Sequence, residues 1–288
     1  ASEFGKLFLL NVYAFWVYDN GIKKFDYVTL KCRVNYRLNG RKEGKRRIIF
    51  TSYDEKVLSS DKSTIKFEEF IESVIKKTIL LSNKKSVESN KYNLTNIKEL
   101  EEVYIKHFYD SLLLSKTVDL TKELKMADIG SGAGFPGLVI KIMFPNINIT
   151  LIEPTLKRCN FLNLVINELG LTNIEVVNAR AEEYIKDKRE SFDIVTARAV
   201  APLNILLELA IPFLKVDGVF LAMKGSNATD EVAAATKAYQ VLNARIDKEY
   251  IFNLPNDLGK RTIIKFIKLG VTKNIYPRLY SKIKKQPL

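Results

Sequence analysis

Two carboxylates and a dense run of glycines carry the most distinctive chemistry in this sequence. Asp128 falls near the end of an apolar run, Lys125-Met126-Ala127-Asp128-Ile129, and is followed by Gly130-Ser131-Gly132-Ala133-Gly134-Phe135-Pro136-Gly137. Glycine clusters where backbone amides approach a ligand closely or adopt positive φ, so the stretch predicts a strand, a ligand-cradling turn and a helix. Gly132, Gly134 and Gly137 also spell the G-x-G-x-x-G of dinucleotide binding, so the glycines alone leave the cofactor open. Glu153, beyond the next apolar run at 147–152, is placed to accept hydrogen bonds from a ribose diol. Asp128, directly before the glycines, would sit near the cationic end of a sulfonium, where a dehydrogenase fingerprint carries an apolar residue or glycine. Together the two acids favour S-adenosylmethionine.

Positioning these residues requires alternating strands and helices. Apolar periodicity predicts strands at 126–129, 148–152, 173–177, 192–197 and 217–223, with helices at 136–143, 156–169, 180–186, 202–214 and 229–241, the order of a parallel α/β sheet. The last two strands, 248–253 and 261–269, are joined by Pro255-Asn256-Asp257-Leu258-Gly259. That connection is too short for a helical crossover and predicts an antiparallel hairpin. A mostly parallel seven-stranded sheet ending in a hairpin is the class I methyltransferase variant of the Rossmann-like plan. Upstream, helical spacing of Phe67, Phe70, Ile71, Val74 and Ile75, and of residues from Ile97 to Leu112, predicts a small helical part over 67–120. His107, the only histidine, falls on that second apolar stripe and is read as a packing residue. Residues 1–66 are β-like, with turn signals at Asp19-Asn20-Gly21 and Asn39-Gly40. Val28 to Leu38 would pair with Arg46 to Tyr53 across a basic loop at 41–45, and the segment is expected to be a hairpin or a disordered extension. The methyltransferase domain then runs from 121 to 288.

Composition narrows the partners. A hydrophobic fraction of 47% and a charged fraction of 27% suit a globular protein, and no apolar run approaches the roughly 18 residues of a membrane span. Cys32 and Cys159 lack paired or metal-like spacing, so neither zinc nor an oxidising compartment is implied, and a cytoplasmic location is expected. Net charge is +13, of which residues 1–66 hold +7 and residues 273–288 hold +5, with no acid in the latter. Basic ends around a nearly neutral body suit an enzyme that grips a polyanion outside its cofactor pocket.

The chain from about residue 67 to 288 resembles the bacterial small-subunit rRNA guanine-N7 methyltransferases, the glucose-inhibited division protein B family. The resemblance rests on Tyr92-Asn93-Leu94-Thr95, His107-Phe108-Tyr109-Asp110-Ser111-Leu112, Asp128 to Gly137, Lys157-Arg158, Arg180-Ala181-Glu182, Thr196-Ala197-Arg198-Ala199-Val200-Ala201, Pro277-Arg278 and Lys284-Lys285-Gln286-Pro287-Leu288. It implies methylation of a guanine N7 in the 530 loop of 16S rRNA, with S-adenosyl-L-methionine as donor and 16S rRNA or a small-subunit precursor as partner; apart from the resemblance, no metal and a monomer are expected. Carried over by position, cofactor contacts fall on Gly130, Phe135, Glu153, Pro154, Thr155, Ala181, Glu182 and Arg198, beside Asp128, Gly132 and Gly134 of the loop. Lys157, Arg158, Arg180 and Lys224 become candidate phosphate contacts, with Arg278, Lys284 and Lys285 on the basic tail. Residues 1–66 have no counterpart in the family pattern, and the helical region before Asn93 is shorter than usual.

Guanine N7 offers an in-plane lone pair and no proton to remove, so its methylation demands alignment more than a base. In keeping with that, the fourth strand is followed by no Asn/Asp-Pro-Pro-aromatic motif, and no Pro-Cys or Thr-Cys nucleophile occurs. No residue is nominated as base or nucleophile. The competing readings are a methyltransferase for another RNA or a small molecule, and a non-catalytic RNA-binding protein with a Rossmann-like core.

Overall fold

The computed structural model describes residues 8–19, 22–38 and 41–53 as backbone, residue 102, and residues 104–288. The chain forms two compact units, 1–80 and 81–288. In the first, β1 (Phe8–Asp19), β2 (Ile22–Leu38) and β3 (Arg41–Tyr53) make an antiparallel sheet in the order β1-β2-β3. Val28 pairs with Ser52 and Leu38 with Arg41, so residues 41–45, expected as a basic loop, belong to a strand. The helix expected from Phe67 lies outside the described residues, as does the beginning of the one expected from Ile97.

The second unit is built on a seven-stranded sheet. Its strands are β4 (Lys125–Ile129), β5 (Asn148–Ile152), β6 (Ile174–Val177), β7 (Phe192–Arg198), β8 (Leu214–Lys224), β9 (Ala244–Asn253) and β10 (Lys260–Lys268), in the spatial order β6-β5-β4-β7-β8-β10-β9. β4 to β8 are parallel, and β10 runs antiparallel to both β8 and β9. This is the Rossmann-like class I methyltransferase arrangement that the hairpin argument predicts. The parallel strands read as near-continuous apolar runs because helices cover both faces of such a sheet. Met126, Ala127, Asp128 and Ile129 of β4 are all buried.

The crossovers are α1 (Gly137–Met143), α2 (Leu156–Glu168), α3 (Ala181–Tyr184) and α4 (Leu203–Ala210), followed by α5 (Ala228–Ala234) and α6 (Thr236–Val241). Two boundaries differ from expectation for local reasons. The helix expected to reach residue 214 stops at Ala210, because Pro212 has no amide to continue the ladder. A 3-10 turn follows, and β8 begins at Leu214 rather than 217. The helix expected over 229–241 breaks at Ala235, whose ψ of 0° leaves the helical well.

The terminal segment is folded onto this body. α7 (Tyr280–Lys285) buries Ile283 completely. Arg278 donates Nε and Nη2 to Glu208 Oε1 and Oε2 at 2.8 and 2.7 Å, and its own amide donates to Oε1 at 2.8 Å. Glu208 lies on α4 and is wholly buried. This corrects the expectation for Arg278: its guanidinium neutralises an interior carboxylate and is not presented to a phosphate. Arg189 adds a second clamp, donating to the carbonyls of Tyr276 and Thr272.

Removing one partner of a buried ion pair strands the other charge, which costs about 3 kcal/mol or more. Arg278→Ala is therefore expected to lower stability by about that amount and to make residues 273–288 protease-sensitive. Urea denaturation and limited proteolysis measure the two effects; an unchanged midpoint with a resistant tail would refute the anchoring.

Candidate functional site

The glycine loop leaves β4 at the point where strand order reverses, with β5 on one side and β7 on the other, the crevice where open α/β sheets bind ligands. Gly130, Gly132 and Gly134 all have positive φ, at 68°, 59° and 96°. Gly137 is required by space instead: an added Cβ would lie 2.3 Å from Leu151 Cδ2 and 2.7 Å from Asp128 Oδ2. Asp128 is wholly buried under the loop, and its Oδ2 accepts the Gly137 amide at 3.0 Å. Burial, opposed by the Gly137 and Ser131 hydrogen bonds, pushes its carboxyl up to about 6. Its Oδ1 is buried with no hydrogen-bond partner. Asp128 thus shapes the loop from beneath.

Glu153, 1% exposed, ends β5 and ties the loop across to the next turn. Its Oε2 accepts the Gly132 amide at 2.9 Å and its Oε1 the Thr155 amide at 2.9 Å. Arg158 Nη1 stands 3.7 Å from Oε1. Behind it, the Cys159 thiol and Asn178 Nδ2 donate to the Glu153 carbonyl, giving Cys159 a structural place. Around Glu153 lies a cavity of about 270 Å³ lined by Gly130, Pro154, Thr155, Ala181 and Glu182, with Arg158, Arg180 and Tyr280 at its edge. Six of the sequence-nominated cofactor residues are therefore brought together here. The other five, Asp128, Gly132, Gly134, Phe135 and Arg198, do not line it.

Arg198 instead lines a neighbouring cavity of about 600 Å³, together with Lys106, His107, Asp110, Lys224 and Arg261. A helical stretch, 104–116, supplies Lys106, His107 and Asp110. It begins as a π-helical turn, Tyr104–Tyr109, with Ile105 and Phe108 facing inward. His107 and Asp110, three residues apart, share the face that meets β7. Arg198 Nη1 donates to Asp110 Oδ2 and to the Lys106 carbonyl, each at 3.0 Å, while Nη2 lies 3.2 Å from His107 Nδ1. The Arg198 guanidinium sits 5.3 Å from the Phe135 ring centre; His107 stacks on that ring at 5.0 Å, and Phe108 meets it edge-on. Arg261 approaches Asp110 from β10, Nε to Oδ1 at 3.4 Å, an ion-pair contact rather than a hydrogen bond. Phe135 accordingly pins the glycine loop to the helical stretch. Ala199 and Val200 line both cavities and form the wall between them.

The nominated cations divide. Lys157 and Arg158 are exposed on the first turn of α2, and Lys284 and Lys285 on α7. Arg180 is exposed beside the smaller cavity, its guanidinium 5.5 Å from the Tyr280 ring. Lys224 is a correction: only 8% of its side chain is exposed, and Nζ bonds Glu231 and the Ala201 carbonyl at 2.7 Å each. Asp110 and Arg261 received no role from the sequence, although the His107/Asp110 spacing was a usable signal. Among the described residues no cluster of metal-ligating side chains occurs, and no helix is long and apolar enough to cross a membrane.

Burial first, then Arg198 and Arg261, lowers the His107 pKa from 6.5 to about 4. The folded state therefore binds fewer protons at His107 than the unfolded state does between those pH values, and this contribution to stability fades as pH falls through the window. Asp128 acts oppositely: with its carboxyl raised from 3.8 to about 6, it favours the fold as pH falls. The two offset each other. His107→Gln removes one side of the balance and is expected to gain up to about 3 kcal/mol over the parent between pH 6.5 and 4. Urea melts across that range measure it; parallel curves would show that His107 titrates normally.

The family model described as "rRNA small subunit methyltransferase G" matches residues 68–253 of this chain. The ribosomal RNA small subunit methyltransferase G of Oceanobacillus iheyensis is 40% identical over 237 residues, covering 78% of this chain and all of the relative. That of Desulfitobacterium hafniense is 46% identical over 202 residues, covering 69% of this chain and 83% of the relative. Among solved structures, a SAM-dependent methyltransferase from Aquifex aeolicus superposes with a TM-score of 0.45 at 15% identity, covering 57% of this chain and 93% of its own. The match of the family model across most of the described second unit, with relatives near and above 40% identity, establishes that this chain belongs to the rRNA small subunit methyltransferase G family.

Proposed function

We propose that the chain transfers the methyl group of S-adenosyl-L-methionine to N7 of a guanine in the 530 loop of 16S rRNA. The observation that carries this reading is the pair of cavities meeting at Ala199 and Val200, one built around a buried acid and the other around two guanidiniums. Such a substrate places the reaction in the cytoplasm, where small subunits are assembled.

The smaller cavity fits the methyl donor. Glu153 has carboxylate lone pairs for a ribose diol beyond the two amides it already accepts, and each carboxylate oxygen takes about two hydrogen bonds. Gly130 leaves backbone without a side chain at the floor, and Ala181 and Glu182 follow the third strand, where the adenine edge is expected. The donor brings an electrophilic methyl group already activated on sulfur. What remains for the protein is to align a nucleophile and exclude water.

The larger cavity suits a guanine. N7 loses no proton on attack, and the groups here are poorly suited to taking one. His107 is held neutral with its pKa near 4, and Asp110 is engaged by Arg198 and Arg261. Guanidinium groups only donate. With N7 reserved for the methyl group, the acceptor left on that edge of guanine is O6, which an arginine recognises and which adenine replaces by a donor. Arg158, Arg180, Lys157, Lys284 and Lys285 are the cations proposed to contact phosphate around the cofactor mouth and on the tail.

Glu153→Ala is expected to weaken S-adenosylmethionine binding by about 1.5–3 kcal/mol, the scale of a hydrogen bond to a charged group, or about 10- to 150-fold in Kd. Calorimetry measures it, and an unaltered Kd would mean that the acid does not touch the donor. For the reaction itself, rRNA from a strain lacking the gene should miss one N7-methylguanosine in the 530 loop by mass mapping, regained on complementation. A complete modification pattern in the deleted strain would overturn the assignment.

A further inference from the structure

The larger cavity does not end at Arg261. In the β9–β10 ladder Arg261 pairs with Phe252, Ile263 with Tyr250 and Lys265 with Lys248. Residues opposite each other in a ladder share a face. Phe252 and Tyr250 therefore continue the Arg261 side of the sheet, along the edge strand, away from the cavity. Their rings are nearly parallel, the planes 7° apart with centres 6.5 Å from each other, and both are half-buried. The Lys116 ammonium, from the end of the helical stretch, sits 6.0 Å from the Phe252 ring centre, and that of Lys248 sits 4.9 Å from Tyr250. The Tyr250 hydroxyl donates to the Thr117 carbonyl at 3.4 Å, fixing its ring against the stretch that carries Asp110.

Three acids on the same elements do not offset these cations. Asp110 is buried and already shared by two arginines. Asp247 is paired with Lys265 at 3.0 Å and Arg245 at 3.4 Å. Glu249 alternates to the opposite face of β9, between Lys248 and Tyr250. Parallel aromatic rings interleaved with cations, joined to a nucleotide-sized cavity, match the physical requirements of single-stranded nucleic acid, whose bases stack while its phosphates are neutralised.

We propose that Phe252, Tyr250, Lys116 and Lys248 form a stacking platform for unpaired RNA nucleotides flanking the target base, continuous with the cavity through Arg261. This rests on the reading of the substrate as RNA. The platform holds nucleotides next to the base being modified and positions that base without touching the reacting atoms.

The test uses the full chain, a fluorescein-labelled RNA single strand of roughly ten nucleotides, and fluorescence anisotropy. Loss of one stacking surface in Phe252→Ala should weaken binding about 5- to 150-fold. Phe252→Leu keeps the apolar bulk without the ring and should weaken it similarly, so a folding defect in the alanine variant does not hide the effect. Lys248→Gln should reduce the slope of log affinity against log salt by about 0.7. S-adenosylmethionine binding and the melting temperature of Phe252→Leu should match the parent. The proposal is overturned if Phe252→Leu and Lys248→Gln bind the strand with parental affinity and salt slope. A parent protein that binds no RNA at all would instead remove the RNA reading on which the platform depends.

Discussion

One buried carboxylate gathers the walls of the larger cavity. Asp110 meets Arg198 from the end of β7 and Arg261 from β10, so a helical turn, a parallel strand and the antiparallel hairpin converge on a single negative charge. Two guanidiniums brought this close in a half-buried cleft would repel each other without it. The carboxylate converts that repulsion into a fixed geometry, and the cation–π and stacking contacts of Phe135 fasten the same group to the glycine loop. Glycine loop and larger cavity are thereby parts of one packed unit.

The glycine loop shows the same economy on the other side of the wall. Asp128 takes the amide of Gly137 and Glu153 the amides of Gly132 and Thr155, so two acids satisfy donors that a sharp turn and a helix start would otherwise leave unpaired. Acidic residues here shape the loop before any ligand arrives. A ligand that needs Glu153 then finds the carboxylate already oriented, and less ordering entropy is lost on binding.

How much of this could be read in the sequence depended on distance along the chain. Glu153 and the glycine loop could be placed because each follows its own strand within a few residues, where periodicity fixes the end, whereas Ala181 and Glu182 were nominated only through the family resemblance. The terminal hairpin was legible for the same reason, since Pro255 to Gly259 is too short for anything else. Arg278 and Lys224 were misread because their partners cannot be inferred from charge alone: Glu208 is 70 residues from Arg278 and buried in a helix, and Glu231 faces Lys224 across a turn. Charge counting finds cations but not which of them the fold has already neutralised. The Asp110–Arg261 contact joins residues from the two ends of the unit, and no local pattern announces it.

The wall between the two cavities is only two residues thick. Val200 Cγ2 stands 2.7 Å from where a Cβ on Gly130 would lie, so the wall rests directly on the cofactor loop, and Ala199 holds it there with a φ of 55° that costs an alanine about 1 kcal/mol or more. A partition under strain, touched from both sides, makes the two compartments thermodynamic neighbours. Whatever shifts Ala199 and Val200 when one chamber fills changes the free energy of filling the other by the same amount in return. A dipeptide is thus the shortest route by which filling of one chamber can register in the other.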